Sequence, residues 1–184
     1  MGQKLVCAKS CPVICLIILM FSGIGYAGPN STAACRLDMN FNTAEIEPNI
    51  AASVNDIITV AVVAGGVSNL DTYQAEVRYD TACLEFIEGY EELPMLGVKN
   101  LLKSKGGTTL GFQAVEKESG TVNIANTLTG TDIAQAPEGS GVLALIKFRV
   151  LKEGKGKISL VNVNFVDSSQ NKDVVTNTTD GKIN

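Results

Sequence analysis

Four side chains suited to molecular recognition alternate along the stretch 67–86: Thr72, Gln74, Glu76 and Arg78. Their hydroxyl, amide, carboxylate and guanidinium groups can donate and accept hydrogen bonds and can form ion pairs. Residues two apart in a β-strand share a face, so the intervening residues would pack inward: Tyr73, Ala75, Val77 and Tyr79. The pattern predicts a strand with one buried side and one side free to bind another molecule.

Catalytic chemistry has little support among the residue types of this chain. No histidine is present, which excludes Ser-His-Asp and Cys-His nucleophilic sites and histidine-ligated zinc. Glycoside hydrolysis by two carboxylates needs no histidine, and six acidic residues are available for it: Glu76, Asp80, Glu85, Glu88, Glu91 and Glu92. No spacing marks two of them as a pair, and Asp80 at a strand end is better suited to accept backbone N–H bonds of the next turn. We therefore predict that the protein is not an enzyme.

One cluster of oxygen-bearing side chains, in the segment 167–173, could bind a hard cation. Asp167, Asn171 and Asp173 supply the carboxylate and amide oxygens that Ca²⁺ prefers. The segment lacks the central glycine and distal glutamate of an EF-hand loop, so a polar surface loop is the favoured interpretation. We expect no cofactor and no metal, with calcium at these three residues as the weaker alternative.

The first 27 residues have the features of a secretory signal peptide. Lys4 and Lys9 precede an apolar run at 13–21, and the small residues Gly25 and Ala27 occupy the positions that a signal peptidase reads. The run is about half the roughly 20 residues that span a bilayer, and no later run is long enough. We expect a mature chain that begins near Gly28, has no membrane span and is secreted or periplasmic.

Removal of this signal would leave two of the five cysteines, Cys35 and Cys83. They could form a disulfide in an oxidising compartment. Two separate thiols, at least one of them buried, agree equally well with the sequence, because the sequence does not reveal whether the two Cα atoms come within bonding distance. Both interpretations stay open at this point.

The remaining 155 or so residues fit one domain in which β-strand patterns predominate. The predicted strands are 57–63, 73–79, 84–90, 110–115, 121–126, 142–151, 158–166 and 181–183. The segment 116–120 has the composition of a hairpin loop, and 95–105 that of a short helix or irregular crossover. The two Gly-Gly pairs, at 65–66 and 106–107, are not followed by the Lys-Ser/Thr of a phosphate-binding loop, so we interpret them as turns or bulges. Short strands with almost no helical period predict an all-β sandwich or jelly roll.

The order of several short motifs resembles the cohesin domain family. The landmarks are Asn55-Asp56 before a long strand, Arg78-Tyr79-Asp80, Leu84-Glu85-Phe86, Gly120-Thr121-Val122, Gly141 before the longest strand, Asn164-Phe165-Val166-Asp167 and Gly181-Lys182-Ile183. Their order and spacing are more specific than any one of them. The resemblance extends from about Ala44 to the end, with 28–43 as an N-terminal lead-in segment. It implies a nine-stranded jelly-roll β-sandwich, related in fold to carbohydrate-binding modules.

The same resemblance implies a function. Cohesin domains bind a dockerin module of another protein through the sheet that contains their third, fifth, sixth and eighth strands. On this sequence the partner-binding residues would be Thr72, Gln74, Glu76, Arg78, Asn123, Asn162 and Asn164. Where the best-known cellulosomal cohesins carry an Asn and an Asp on the third strand, this chain has Thr72 and Gln74. We expect a secreted bacterial binding module with a dockerin-like protein partner, acting in a polysaccharide-degrading or cell-surface assembly.

Two alternative functions remain, a carbohydrate-binding module and a structural domain of an envelope assembly. Binding of polysaccharide usually requires exposed aromatic rings, but the chain has no Trp. Inward positions are predicted for Tyr73 and Tyr79, which leaves Tyr90 and Phe86 as candidates. Nucleic acid is not expected as a partner, because a net charge of −4 provides no basic surface.

Overall fold

A computed structural model describes residues 27–130, 133–152, 154 and 156–184. The predicted signal segment, residues 1–26, lies outside the described residues. Among the described residues, no helix has the length and hydropathy of a membrane span. The strands are β1 (Ala34–Asp38), β2 (Asn49–Ile50), β3 (Ile57–Val67), β4 (Leu70–Tyr79), β5 (Leu84–Tyr90), β6 (Thr109–Glu118), β7 (Thr121–Leu128), β8 (Gly139–Val150), β9 (Lys157–Asp167), β10 (Lys172–Val174), β11 (Asn177–Thr179) and β12 (Gly181–Ile183). Short 3₁₀ helices cover Pro94–Leu96, Leu101–Lys103 and Ile133–Gln135.

The strands form two sheets that face each other, which confirms the predicted all-β sandwich. One sheet has the order β11-β1-β3-β8-β5, and the other has the order β2-β12-β9-β4-β7-β6, with β10 paired to β9. The described residues form twelve strands, whereas the resemblance led us to expect nine. Four of the twelve, β2, β10, β11 and β12, are only two or three residues long.

Side chains from both inner faces fill the core. On β4 the predicted alternation is confirmed, because Tyr73, Ala75 and Val77 are buried while Gln74 between them is exposed. The hydroxyl of Tyr73 donates a hydrogen bond to the backbone carbonyl of Leu143 on β8 of the opposite sheet, and the largest fully buried residues include Phe148 and Phe165. Each such side chain stabilises the fold by roughly 1.5–3 kcal/mol through removal of its apolar surface from water.

Strand β1 lies within the stretch 28–43 that we expected to be a lead-in, yet it is part of the sandwich. It pairs antiparallel with β3 and parallel with β11. Cys35 and Leu37 point into the core and are completely buried. The packed domain therefore begins upstream of Ala44, because this strand supplies one row of the five-stranded sheet.

The two cysteines are free thiols, so the disulfide alternative is wrong for this structure. Cys35 lies on β1 and Cys83 immediately precedes β5, with β3 and β8 between those strands. Three strand spacings of about 4.8 Å separate them by at least roughly 14 Å across the sheet, whereas a disulfide needs Cα atoms within about 7 Å. Burial raises the pKa of Cys35 to about 12, which keeps its thiol protonated and unreactive.

The segment between β5 and β6, predicted as a short helix or irregular crossover, contains the first two 3₁₀ helices and closes one end of the core. The amide of the buried Asn100 donates to the backbone carbonyls of Glu91 and Leu143, at 3.2 and 2.5 Å. The Glu91 carboxylate accepts hydrogen bonds from Thr109 and Asn126 and an ion pair from Lys103. Burial raises the pKa of Glu91, but these bonds and the Lys103 charge outweigh it, so the net pKa is lowered. The network fixes the crossover to strands β6 and β7.

Two strand ends differ in detail from the expectation. Strand β3 continues beyond residue 63 to Val67, and the glycine pair at 65–66, predicted as a turn or bulge, forms a bulge with Gly66 at a φ of 66°. The β6–β7 hairpin is tighter than predicted, since only Ser119 and Gly120 separate the strands and Gly120 has a φ of 84°. Positive φ angles of this kind favour glycine because it has no Cβ atom.

Candidate partner-binding face

The outward side of strands β6, β7, β4 and β9 forms one broad surface, which we call the docking face. Strand β4 is central, with β7 antiparallel on one side and β9 antiparallel on the other. Side chains directly opposite one another in these pairings form rows across the sheet. One row contains Gln113, Ala125, Gln74 and Asn164, and the next contains Val115, Asn123, Glu76 and Val161.

The structure brings six of the seven predicted contact residues onto this face in regular strand positions: Thr72, Gln74, Glu76, Arg78, Asn123 and Asn164. Gln74 and Arg78 are exposed, and the other four are half-buried by their neighbours. The Thr72 hydroxyl hydrogen-bonds the Thr127 hydroxyl across the strands at 2.6 Å. The side chains therefore form a continuous polar stripe over β4 and β7.

Asn162, the seventh predicted residue, occupies a bulge. Its φ of 51° interrupts the pairing of β9 with β4 between the partners of Gln74 and Glu76. The extra residue directs the Asn162 amide toward the Glu76 carboxylate, and this hydrogen bond is the main cause of a lowered pKa for Glu76. Arg78 adds a 3.0 Å ion pair to the same carboxylate. Glu76 is therefore held ionised and oriented at the centre of the face.

A shallow groove of about 480 Å³ opens at the Arg78 end of the docking face. Its lining residues carry two negative and two positive charges together with two neutral polar groups: Glu76, Arg78, Lys117, Glu118, Thr121 and Asn123. The Asn123 side-chain oxygen is buried there and accepts no hydrogen bond from the described part of the chain. A buried acceptor without a donor is unfavourable by roughly 1–3 kcal/mol, so a donor from a bound partner would be favoured at this atom.

Exposed apolar residues flank the polar stripe, and sequence reasoning missed them. Leu110 and Val115 on β6 are 67% and 56% exposed, and Val174 on β10 is 62% exposed. Val174 lies beside Asn164 in the β9–β10 pairing, so it borders the docking face on the side opposite β6. Exposed large apolar side chains are a feature of protein–protein interaction sites. Their signal in the sequence was obscured by the bulge at Gly111, which shifts the alternation along β6.

The acidic residues considered for hydrolysis serve other purposes. Four ion pairs engage them at 2.9–3.1 Å: Glu85 with Arg149, Glu88 with Lys147, and both Glu91 and Glu92 with Lys103. Asp80 accepts a hydrogen bond from the backbone N–H of Ala82 at 2.9 Å and shapes the turn before β5, as predicted. Of the six acidic residues considered for hydrolysis, Glu76 alone lines the docking-face groove, so the groove contains no pair of them.

The three weak calcium candidates do not converge. Asp167 accepts hydrogen bonds from the backbone of Ser169 and from the backbone and side chain of Asn171, so these oxygens stabilise a turn. Asp173 points elsewhere and accepts a bond from the Asn30 backbone at 2.9 Å. The described residues contain no group of three or more Cys, Asp or Glu arranged to hold a metal ion.

The aromatic candidates for sugar stacking are occupied within the fold. Phe86 packs edge-on against the buried Phe148, with ring centroids 6.2 Å apart. The Tyr90 ring lies under the Lys147 ammonium, 4.8 Å from its centroid, and its hydroxyl bonds the same group. Among the described residues, the large exposed apolar side chains include no aromatic ring. The described residues therefore do not present a row of exposed aromatic rings on which sugars could stack.

A family model described as the cohesin domain matches residues 42–184. The chain belongs to the cohesin family. That family consists of non-catalytic binding modules. The match begins close to the predicted Ala44 boundary, and β1 adds a strand upstream of it. A comparison with curated proteins finds no match.

Solved structures with the same fold are cohesin modules. The sixth cohesin of scaffoldin B from Acetivibrio cellulolyticus, determined in complex with a Cel5 dockerin mutant, has 20% identity and a TM-score of 0.62, covering 83% of this chain and 98% of that one. A non-cellulosomal cohesin from the archaeon Archaeoglobus fulgidus has 16% identity and a TM-score of 0.58, covering 83% and 89%. The OlpC cohesin of Clostridium thermocellum, in a type I complex with a dockerin, has 11% identity and a TM-score of 0.62, covering 85% and 94%.

Proposed function

We propose that this protein is a secreted, non-catalytic module that binds a dockerin-type protein partner through the docking face. The partner would lie across β4 and β7, meeting Gln74, Glu76 and Asn123, with its edges on the apolar flanks. Such a module would connect its partner to a polysaccharide-degrading or cell-surface assembly. The signal segment would direct export and would be cleaved after Ala27, as the pattern Gly25-Tyr26-Ala27 favours.

The observation that carries this proposal is the composition of the docking face. It combines a preformed polar stripe, a buried acceptor on Asn123 without a donor, and three large apolar side chains left in water. A face with no partner would gain nothing from exposing Leu110, Val115 and Val174 around oriented polar groups. Two of the similar cohesins described above were determined with dockerins, which supports the same class of partner.

Partner capture from the organism's own secreted proteins tests the proposal. The immobilised chain should retain a protein with a dockerin module, and the triple variant Q74A/E76A/N123A should lose at least tenfold in affinity, since central interface residues dominate binding. The matched control is E85A/R149A, which removes an exposed ion pair from the other sheet. Equal capture by both variants and the native chain would exclude the docking face.

A second arm distinguishes the partner class. Affinity electrophoresis through soluble glycans, and sedimentation with insoluble ones, should show no retardation of the native chain. Retardation that Q74A/E76A/N123A abolishes would assign the same face to a polysaccharide and contradict the dockerin proposal.

A further inference from the structure

Asp173 on β10 is a buried carboxylate that forms no ion pair with the described residues. It is only 5% exposed, and its position opposite Phe165 directs it inward. Its Oδ2 atom accepts a hydrogen bond from the backbone N–H of Asn30 at 2.9 Å. Among the described residues, the six ion pairs do not include Asp173. A buried carboxylate without a cation is unfavourable, because the lost hydration is not replaced by an opposite charge.

The N-terminal turn brings Gly28 directly against this carboxylate. A Cβ atom on Gly28 would lie 2.8 Å from Oδ1 of Asp173 and still closer to Oδ2, so both oxygens face this residue. The turn is fixed by the Ser31 N–H, which donates to the Gly28 carbonyl at 3.1 Å, and by the Asn30 side chain, which bonds the backbone of Ser68. Standard bond lengths then place the Gly28 nitrogen within about 5 Å of the carboxylate.

A cleavage motif independently ends at Ala27, directly before the same glycine. Gly25 and Ala27 stand at the two small-residue positions before Gly28. Ala27 and Pro29 are exposed, whereas Gly28 between them is half-buried against Asp173. The peptide bond that a signal peptidase would cut is therefore the bond that joins the half-buried glycine to the exposed residue before it.

We propose that Asp173 is a binding site for the chain's own α-ammonium group, formed at Gly28 when the signal segment is removed. This inference rests on the proposed signal cleavage, but not on the proposed partner. Signal peptidase would hydrolyse the Ala27–Gly28 amide with one water molecule. Ala27 would leave as a carboxylate, and the Gly28 amine would take a proton and carry the positive charge. The ion pair then fastens the N-terminal turn to β10 only in the processed chain.

Glycine suits this position for a steric reason. Any side chain at residue 28 would occupy the space of the Asp173 carboxylate. An amino group on the same Cα atom reaches the oxygens without adding a side chain. The same site therefore distinguishes a processed chain from one that still carries preceding residues.

Thermal unfolding of three chains that differ only at the N-terminus tests the proposal. The first begins at Gly28 with a free amine, the second begins at Ala27, and the third begins at an acetylated Gly28. The first should melt about 4 °C above the other two, because only it has the ammonium group at the carboxylate. Melting temperatures within about 1 °C of each other would overturn the proposal.

Introducing D173N into all three chains completes a double-mutant cycle between the N-terminal amine and the Asp173 carboxylate. D173N should abolish the advantage of the free Gly28 amine, whereas D180N, at a carboxylate paired with Lys157, should lower all three melting temperatures equally. An advantage that survives D173N would contradict the assignment. If D173N does not fold, the comparison of free with acetylated Gly28 still decides the question.

The intact mass of the chain after export from a bacterial host tests the processing step separately. A mass that corresponds to a start at Gly28 supports the link between cleavage and the ion pair, and a start at another residue overturns it. Neither measurement uses a dockerin, so loss of the partner proposal would leave these results unaffected.

Discussion

The outer faces of the two sheets differ in what covers them. On the five-stranded sheet, Ala61 of β3 and Leu145 of β8 lie opposite each other and point away from the core, yet both are completely buried. On the seven-stranded sheet, the central residues Gln74 and Arg78 point outward and are exposed. The centre of one outer face is thus covered by the chain itself, and the centre of the other is open.

Loops account for the closed face. Phe41 and Leu96 line a cavity of about 260 Å³ beside the β3 residues Ile57 and Thr59. Ile46 lies beside Val63 in a similar way at the other end of the strand. Such loops leave narrow gaps in place of a continuous docking surface. The comparison teaches that strand composition indicates whether an outer face is covered. Strands β3 and β8 of the covered sheet have apolar residues on both faces, whereas β4 of the open sheet alternates between apolar and polar residues.

The largest expected effect comes from a charge placed on each face. L145D should destabilise the protein by about 4 kcal/mol or more, because a carboxylate would be buried without a partner. Q74D, which places the same group on the open face, should change stability by no more than about 0.5 kcal/mol. Urea denaturation measures both. Similar losses for the two variants would show that the faces do not differ in cover.

A smaller effect is expected from Glu76 and Glu91, two glutamates whose pKa is lowered. Glu91 belongs to the buried crossover network, so E91Q should cost about 2 kcal/mol by weakening its charged hydrogen bonds. E76Q should leave stability nearly unchanged and weaken partner binding instead.

The pH dependence separates the two glutamates further. Because the folded pKa of Glu91 is lowered, its stabilisation is present above its unfolded pKa of about 4.5 and is lost as the pH falls through the folded pKa. Native protein should therefore lose more stability than E91Q on acidification below about pH 4.5. Parallel stability curves for the two proteins would contradict the role of Glu91.

The smallest effect concerns Asn162. N162G should fold normally, since glycine tolerates the φ of 51°, but should lose the amide that faces Glu76. The pKa of Glu76 should then rise toward 4.5, as measured by NMR titration of its side-chain carboxyl carbon. N55G, at another asparagine with positive φ, is the control and should leave that pKa unchanged. An unchanged pKa of Glu76 in N162G would show that the Asn162 amide does not orient the Glu76 carboxylate.

Local patterns in the sequence predicted much of this fold and part of the face. The alternation around Tyr73 and Val77 fixed which side of β4 is buried, and the same period placed Asn123 outward on β7. Strand β1 escaped prediction because five residues beside a polar loop carry too little periodic signal. The apolar flank at Leu110 and Val115 escaped because a bulge breaks the period.

Other features depend on contacts between distant parts of the chain. The Glu91 network joins residues up to 35 positions apart, and Asp173 meets Asn30 across 143 positions. No local pattern encodes such pairings. For the same reason the sequence did not decide whether Cys35 and Cys83 form a disulfide, since only the strand order β1-β3-β8-β5 shows how far apart they lie.

Methyl NMR of the chain with and without a captured dockerin tests the central claim most directly. Methyl groups of Leu110, Val115 and Val174 should shift or broaden on binding, while those of Ile57 and Leu96 beside the closed face should remain unchanged. The reverse pattern, with changes confined to Ile57 and Leu96, would show that the partner binds the five-stranded sheet and would contradict the account.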